Sequence, residues 1–220
     1  MSVKTKSEIL FESFCNSIEI QWRKIGESSK ERPDYEINIA DQIVFVEVKQ
    51  FDPNTQEREA NKRLQQGHIA VLGGQPGERI RSVIRKANSQ LKELSKGKCC
   101  TLLIAYNNTP CSLHTDPYAV MTAMQGFDIQ NALVHRNQWN PPSFGEIISG
   151  RIGRSMRPDC NTSTSAFATL HSDNAQRYLN VYHNRFAAKS LNPNFLRYPN
   201  IRHFQIPKYS LNSLANWEEV

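Results

Sequence analysis

The chain has no long hydrophobic run. Its longest apolar stretch, Cys99 to Tyr106, is interrupted by Thr101 and falls far short of the roughly 20 residues that a membrane-spanning helix needs. The opening segment MSVKTKSEILFESFC has no apolar signal core and turns acidic within a few residues, so neither membrane insertion nor secretion is expected. Cysteine is sparse and unpaired in pattern. The five residues, at 15, 99, 100, 111 and 160, include no C-x-x-C spacing, and an odd set suits neither a disulfide framework nor a structural zinc site. Reduced, mostly buried thiols and a cytoplasmic location are the expectation. Ten Gly and eleven Pro are ordinary counts and exclude collagen-like or broadly disordered chains. Internal repeats and low-complexity tracts are missing. So is G-x-x-x-x-G-K-[ST], which sets aside nucleotide hydrolysis of the P-loop kind.

What is present suits one compact domain with an appended region: 220 residues, 39% of them hydrophobic, at a mean hydropathy of −0.57. Lys and Arg outnumber Asp and Glu by 27 to 21, giving a charge of +6 and a pI of 9.1. That balance permits a polyanionic partner without demanding one.

Hydrophobic spacing predicts a helix from Ser7 to about Trp22, with Leu10, Phe11, Phe14, Ile18 and Trp22 recurring every three or four residues. Thr5 and Glu8 have the spacing of a capping box, and Glu8 and Glu12 share another face. After a polar stretch ending at Arg32-Pro33, the period changes to two. Tyr35, Ile37 and Ile39 fall on one face of a first strand; Val44, Val46 and Val48 fall on one face of a second, with Ile43, Phe45, Glu47 and Lys49 on the other. A two-residue loop at Ala40-Asp41 pairs Ile39 with Gln42, Ile37 with Val44, Tyr35 with Val46 and, one step on, Asp34 with Glu47. Further along, the pattern predicts a short helix over Glu57 to Gln66, a short strand over Ile69 to Leu72 and an amphipathic helix over Glu78 to Lys96 stopped by Gly97. It also predicts a fully buried strand over Cys99 to Tyr106 and a helix opened by Asp116-Pro117 and stopped by Gly126. Beyond Gln130 the signal weakens. Trp139 to Phe144 reads as a proline-rich turn, Asp159 to Ser165 as a polar link and Tyr178 to Tyr182 as a late strand, while the last forty residues have no clear period.

The hairpin gathers the chemistry. Asp34 stands opposite Glu47, and Lys49 follows two residues later on the same face. Charges on a half-buried strand face are expensive unless an ion or a partner meets them. Two carboxylates with the Val48 carbonyl between them supply hard oxygen ligands suited to Mg²⁺ or Mn²⁺, with positions left for water and phosphate. Such a cation polarises a phosphodiester and lowers the pKa of a bound water. Lys49 is placed to orient that water or to offset charge in the transition state. The alternative is a surface hairpin whose Glu47 and Lys49 form a cross-strand ion network.

These residues, Pro33-Asp34 … Glu47-Val48-Lys49, resemble the restriction-endonuclease-like (PD-(D/E)XK) nuclease superfamily, over roughly residues 7 to 106 in element order. The resemblance implies an α/β fold with a mixed central sheet flanked by helices. It implies a nuclease-like core over 1–130 and a C-terminal extension over 131–220 packed on that core and contacting nucleic acid. It also implies a Mg²⁺- or Mn²⁺-dependent nuclease, with double-stranded DNA the favoured substrate and a two-fold dimer a natural arrangement for cutting two strands. Asp34, Glu47 and Val48 would hold the metal and Lys49 would act in the reaction. Glu12 matches the first-helix carboxylate that members of the family often contribute, with Glu8 as the alternate. Gln90 loosely matches a polar position on the following helix. The long polar segment Phe51 to Gly77 departs from the family pattern. A catalytically silent nucleic-acid-binding module of the same fold, working as a subunit of a larger assembly, is the second reading; a protein–protein scaffold is the third.

Nucleic-acid contacts are expected from Arg81, Arg85 and Lys86 on the basic helix and from Arg151, Arg154 and Arg157 in a segment without acids. The Gly73-Gly74…Gly77 loop is placed to bring helix amides to a phosphate. Tyr198, His203, Phe204 and Tyr209, interleaved with Arg197, Arg202 and Lys208, suit core packing better than base stacking. His171, His183 and His203 with Cys160 are too irregularly spaced for zinc.

Overall fold

The computed structural model describes residues 4–26, 32–40, 42–71, 73–133, 142–173, 176–207 and 217–220. Helix α1 covers Lys6–Ser17 and is opened by the expected capping box: Glu8 N–H donates to the Thr5 side chain and Thr5 N–H to the Glu8 carboxylate. It ends earlier than its apolar spacing predicts. Glu19 takes a positive φ of 58°, the chain turns, and Trp22 falls in strand β1 (Gln21–Lys24). There Trp22 packs edge-on to Tyr35 at 5.7 Å and donates to Asn16 Oδ1. Its apolar contact is real, but it is made from a strand.

Strands β2 (Tyr35–Ile39) and β3 (Gln42–Phe51) form the expected hairpin in the expected register, with Tyr35 beside Val46, Ile37 beside Val44 and Ile39 beside Gln42. Ala40, at the turn, adopts a positive φ; Asp41 lies outside the described residues. Helix α2 spans Thr55–Gln65 behind an Asn54–Glu57 capping box. Residues 69–71 form no strand. Ile69 and Val71 are 83% and 88% exposed, so the apolar run there has no sheet to join; Leu72 lies outside the described residues. Helix α3 (Glu78–Ser95) and strand β4 (Cys100–Asn107) agree with the expectation, and α4 (Pro117–Gln125) starts at an Asp116 N-cap and stops at Gly126.

The later chain holds more regular structure than its pattern signals. Strands β5 (Phe127–Leu133) and β6 (Ser143–Ile152) pair only with each other and make a separate two-stranded ribbon. Ser143 and Phe144, expected in a turn, belong to that ribbon, and residues 134–141 lie outside the description. Strands β7 (Ala166–Asp173), β8 (Gln176–His183), β9 (Ile201–Gln205) and β10 (Glu218–Glu219) complete an eight-stranded sheet in the order β1-β2-β3-β4-β7-β8-β9-β10. It is mixed: β3, β4 and β7 run parallel, while β1-β2-β3 and β7-β8 are antiparallel. The sheet runs unbroken across the expected boundary at residue 130.

Side-chain alternation divides the core in two. Val44, Val46, Val48, Leu102 and Ile104 face α1 through Phe11, Phe14 and Tyr35. Leu103, Ala105, Phe51 and Phe167 face α3 and α4 through Ile80, Ile84, Leu91 and Met124. The five cysteines are free thiols, of which Cys15 and Cys100 are buried. Among the described residues no helix is long and apolar enough to cross a membrane.

Candidate metal centre

Strand β2 begins at Tyr35, whereas its neighbour β3 runs on to Phe51. This length mismatch leaves a notch beside residues 47–50 of β3. Asp34 sits at its mouth, one step before the paired residues. Its backbone carbonyl accepts from Ile25 N–H (2.8 Å) and its Oδ2 accepts from Val48 N–H (2.8 Å). The carboxylate therefore occupies the place of the missing β2 partner. The N–H and C=O of a strand residue point to the same edge, so the Val48 carbonyl is directed to the side that Asp34 occupies.

Glu47 and Lys49 point to the α3 face. Glu47 is fully buried, yet neither carboxylate oxygen has a directed hydrogen bond. Lys49 Nζ touches Glu47 Oε1 as an ion pair, off the hydrogen-bonding direction, with the lysine side chain 32% exposed. Burial raises the Glu47 carboxyl to about 7; the Asp34 charge adds to the rise and Lys49 opposes it. Asp34 is also raised by burial, held back by the Val48 N–H and by Lys49. Burial and mutual repulsion disfavour ionising both carboxylates at once, and Lys49 offsets part of that cost.

The α1 carboxylates approach from the opposite face. Tyr35 Oη donates to Glu12 Oε1 (2.9 Å), and Lys4 pairs with Glu12 Oε2 (2.6 Å). Glu8 Oε1 pairs with Lys24 Nζ (2.6 Å), and both charges act on Asp34. Lys24 closes β1, a strand whose start at Gln21 lies in the stretch that the apolar spacing assigns to the first helix. Gln90 reaches the same loop: its Nε2 donates to Arg32 O, two residues before Asp34.

A divalent cation fits this donor set. The buried Glu47 carboxylate, the adjacent Asp34 and the Val48 carbonyl are oxygen donors beside the notch. Among the described residues no three His, Cys, Asp or Glu side chains converge closely enough to hold a metal by themselves. Two carboxylates and a carbonyl are the donor types that an ion such as Mg²⁺ accepts, with water completing its shell.

The basic residues divide. Arg85 and Lys86 are exposed on α3. Arg81 is only 9% exposed, donates to Pro76 O (2.9 Å) and packs against Gly153, so it braces the fold. Arg154 reaches Gln125 and lies 4.8 Å over the Phe186 ring. Arg157 finds an acid after all, Asp159 at 3.5 Å, with both side chains half or more exposed. The Arg151 side chain, with Lys208 and Tyr209, lies outside the described residues. Phe204 stacks on Tyr182 at 5.1 Å, and Arg202 pairs with Glu219. His183 and His203, irregular in sequence, meet on β8 and β9 at 2.9 Å and are both buried. The glycine loop before α3 borders a cavity of about 450 Å³ with Glu57, Arg79 and His114. In that cluster Glu57 accepts from Arg79 (3.1 Å) and meets His114 Nε2 at 2.5 Å, tying α2 to the body. No family model, curated protein or solved structure matches the chain.

Proposed function

We propose that the protein is a divalent-cation-dependent nuclease that hydrolyses phosphodiester bonds, with double-stranded DNA the favoured substrate. The observation that carries this reading is the Glu47 carboxylate: fully buried, without a directed hydrogen bond, beside Asp34 and in contact with Lys49. A fully buried carboxylate met by a single, partly exposed lysine is costly to ionise unless a further cation adds to that charge. The element order is compatible with the resemblance drawn from Pro33-Asp34 … Glu47-Val48-Lys49, since a helix, antiparallel strands bearing the motif, two further helices and a parallel buried strand follow one another.

Asp34, Glu47 and the Val48 carbonyl would hold Mg²⁺ or Mn²⁺, which supplies Lewis acidity and a water acidified for attack. Val48 N–H fixes the Asp34 carboxylate in the notch. Buried hydrophobic neighbours exclude bulk water around Glu47 and strengthen its pull on a cation. Lys49, partly exposed, faces the incoming phosphate and offsets negative charge that grows on it. Arg85 and Lys86 lie on the same helix as Gln90 and provide backbone-binding charge outside the notch.

The deciding experiment is incubation of plasmid DNA with Mg²⁺ or Mn²⁺ for wild type and Lys49→Ala. Cleavage by wild type, lowered by orders of magnitude in the variant with DNA affinity retained, is the expected result. DNA binding without cleavage in wild type would favour the nucleic-acid-binding module. Neither binding nor cleavage would remove the nuclease reading.

A further inference from the structure

We propose that Lys24 is a second substrate-binding cation of the notch, gripping a backbone phosphate from the α1 side while Lys49 works from the α3 side, with Glu8 as the residue that positions it. The inference rests on the nuclease reading above and names a residue that the motif does not contain.

Lys24 is the last residue of β1 and pairs with Tyr35. The next residue, Ile25, donates its N–H to the Asp34 carbonyl. The Lys24 backbone is therefore the strand neighbour of the segment that presents Asp34. Its ammonium lies 2.6 Å from Glu8 Oε1 and 5.8 Å from the Tyr35 ring centre, with 39% of the side chain exposed. Glu8 needs no help from Lys24 to hold its place. Its other oxygen, Oε2, already accepts from Thr5 N–H (2.8 Å) and Thr5 Oγ1 (2.9 Å) in the α1 capping box. It is a fixed anchor, and an anchored carboxylate aims the ammonium more than the ammonium steadies the carboxylate.

A lysine ammonium has three protons, of which Glu8 takes one direction. The pair is only partly exposed, 39% at Lys24 and 14% at Glu8, and joining β1 to α1 gives one reason for a cation beside the segment that presents Asp34. A phosphate gives another. Lysine binds phosphate as a compact point charge, without the planar geometry that arginine requires. Asp34 and Glu47 act on one another in the notch and Glu8 acts on Asp34 from the α1 side, so an approaching phosphodiester meets negative charge that a bound cation and Lys49 would offset from one face and Lys24 from the other. Lys49 serves the α3 face and Lys24 the α1 face.

The test uses the full chain with Lys24→Met, Lys24→Arg, Glu8→Gln and Lys49→Ala. Affinity for a labelled DNA duplex is measured in Ca²⁺ across a salt series, and steady-state cleavage is measured in Mg²⁺. Lys24→Met should flatten the salt dependence by about one unit of slope, the signature of one lost phosphate contact. It should raise KM roughly tenfold, as the loss of one charge-assisted contact does, with kcat close to wild type. Lys24→Arg should recover most of both, and Glu8→Gln should raise KM by a smaller factor with the slope intact. Lys49→Ala should show the reverse split, a fall in kcat with binding kept. An ion pair that merely joins β1 to α1 would move only the thermal midpoint. Wild-type slope and KM in Lys24→Met, from an enzyme that cleaves, overturn the Lys24 assignment and leave the nuclease reading standing. Absence of both cation binding and cleavage in wild type removes the two together.

Discussion

Glu47 carries a carboxyl whose charge its surroundings disfavour. With its carboxyl raised from 4.5 to about 7, the metal-free native state binds the proton more tightly than the unfolded chain does. The stability this confers is fully present below about pH 4.5 and is lost as pH climbs toward about 7. In EDTA, urea unfolding should therefore report a weaker protein at pH 7.5 than at pH 5.5, and Glu47→Gln should flatten that slope while keeping the fold. Mg²⁺ should restore stability to wild type above pH 7 and do little for the variant. A Glu47→Gln protein that keeps both the wild-type slope and the Mg²⁺ response would detach the carboxylate from cation binding. A two-residue turn and strict alternation made the position of Glu47 readable from the chain, because a slip of one residue would have buried the wrong face. Its complete burial was not readable, since that depends on what packs onto the α3 face of β3 from distant parts of the chain.

Elements were legible where the forces that make them are local. The Thr5–Glu8 box, the Asp116-Pro117 start and the alternating hairpin each lie within a few residues of the groups that satisfy them. Strands β5, β6 and β9 find their partners across long separations or only in each other, so neither spacing nor caps announce them. His183 and His203 carry the same lesson. They are neighbours because Val181 and His203 share a register on parallel strands, a relation no sequence interval encodes. Burial lowers His183 to about 4, and His203, near the Arg197 charge, is lowered as well. The stability they confer is present above about pH 6.5 and fades as pH falls toward 4. This acid limb runs opposite to that of Glu47, and the two separate in variants: His183→Gln should lessen the loss of thermal midpoint between pH 6 and 4, whereas Glu47→Gln should not. The contact of α3 with α4 depends on Gly77, at φ +74°, where a Cβ would collide with the backbone of Ala119 and Ala123. Gly77→Ala should cost about 2 kcal/mol or more, from strain and displacement together. Denaturant melts giving a change under half a kcal/mol would mean the helices move apart freely.

Across the whole molecule, β4 is the axis. It is flanked by β3, which follows the first helix, and by β7, which arrives after the ribbon. During synthesis the outer edge of β4 therefore stays bare while residues 108–165 leave the ribosome. A chain stopped at residue 130 presents an apolar parallel edge with no strand to close it. That fragment should appear in the insoluble fraction, and supplying residues 142–220 from a second gene should recover soluble, protease-resistant protein. A fragment of residues 1–130 that folds and stays monomeric would show that β3 and β4 alone suffice. The same connectivity makes the notch beside β3 late to mature. The Asp34–Glu47 hairpin lies in the first quarter of the chain, but β4, against which it pairs, gains its second neighbour only with β7, so a nascent chain carries the motif well before the sheet beside it is complete.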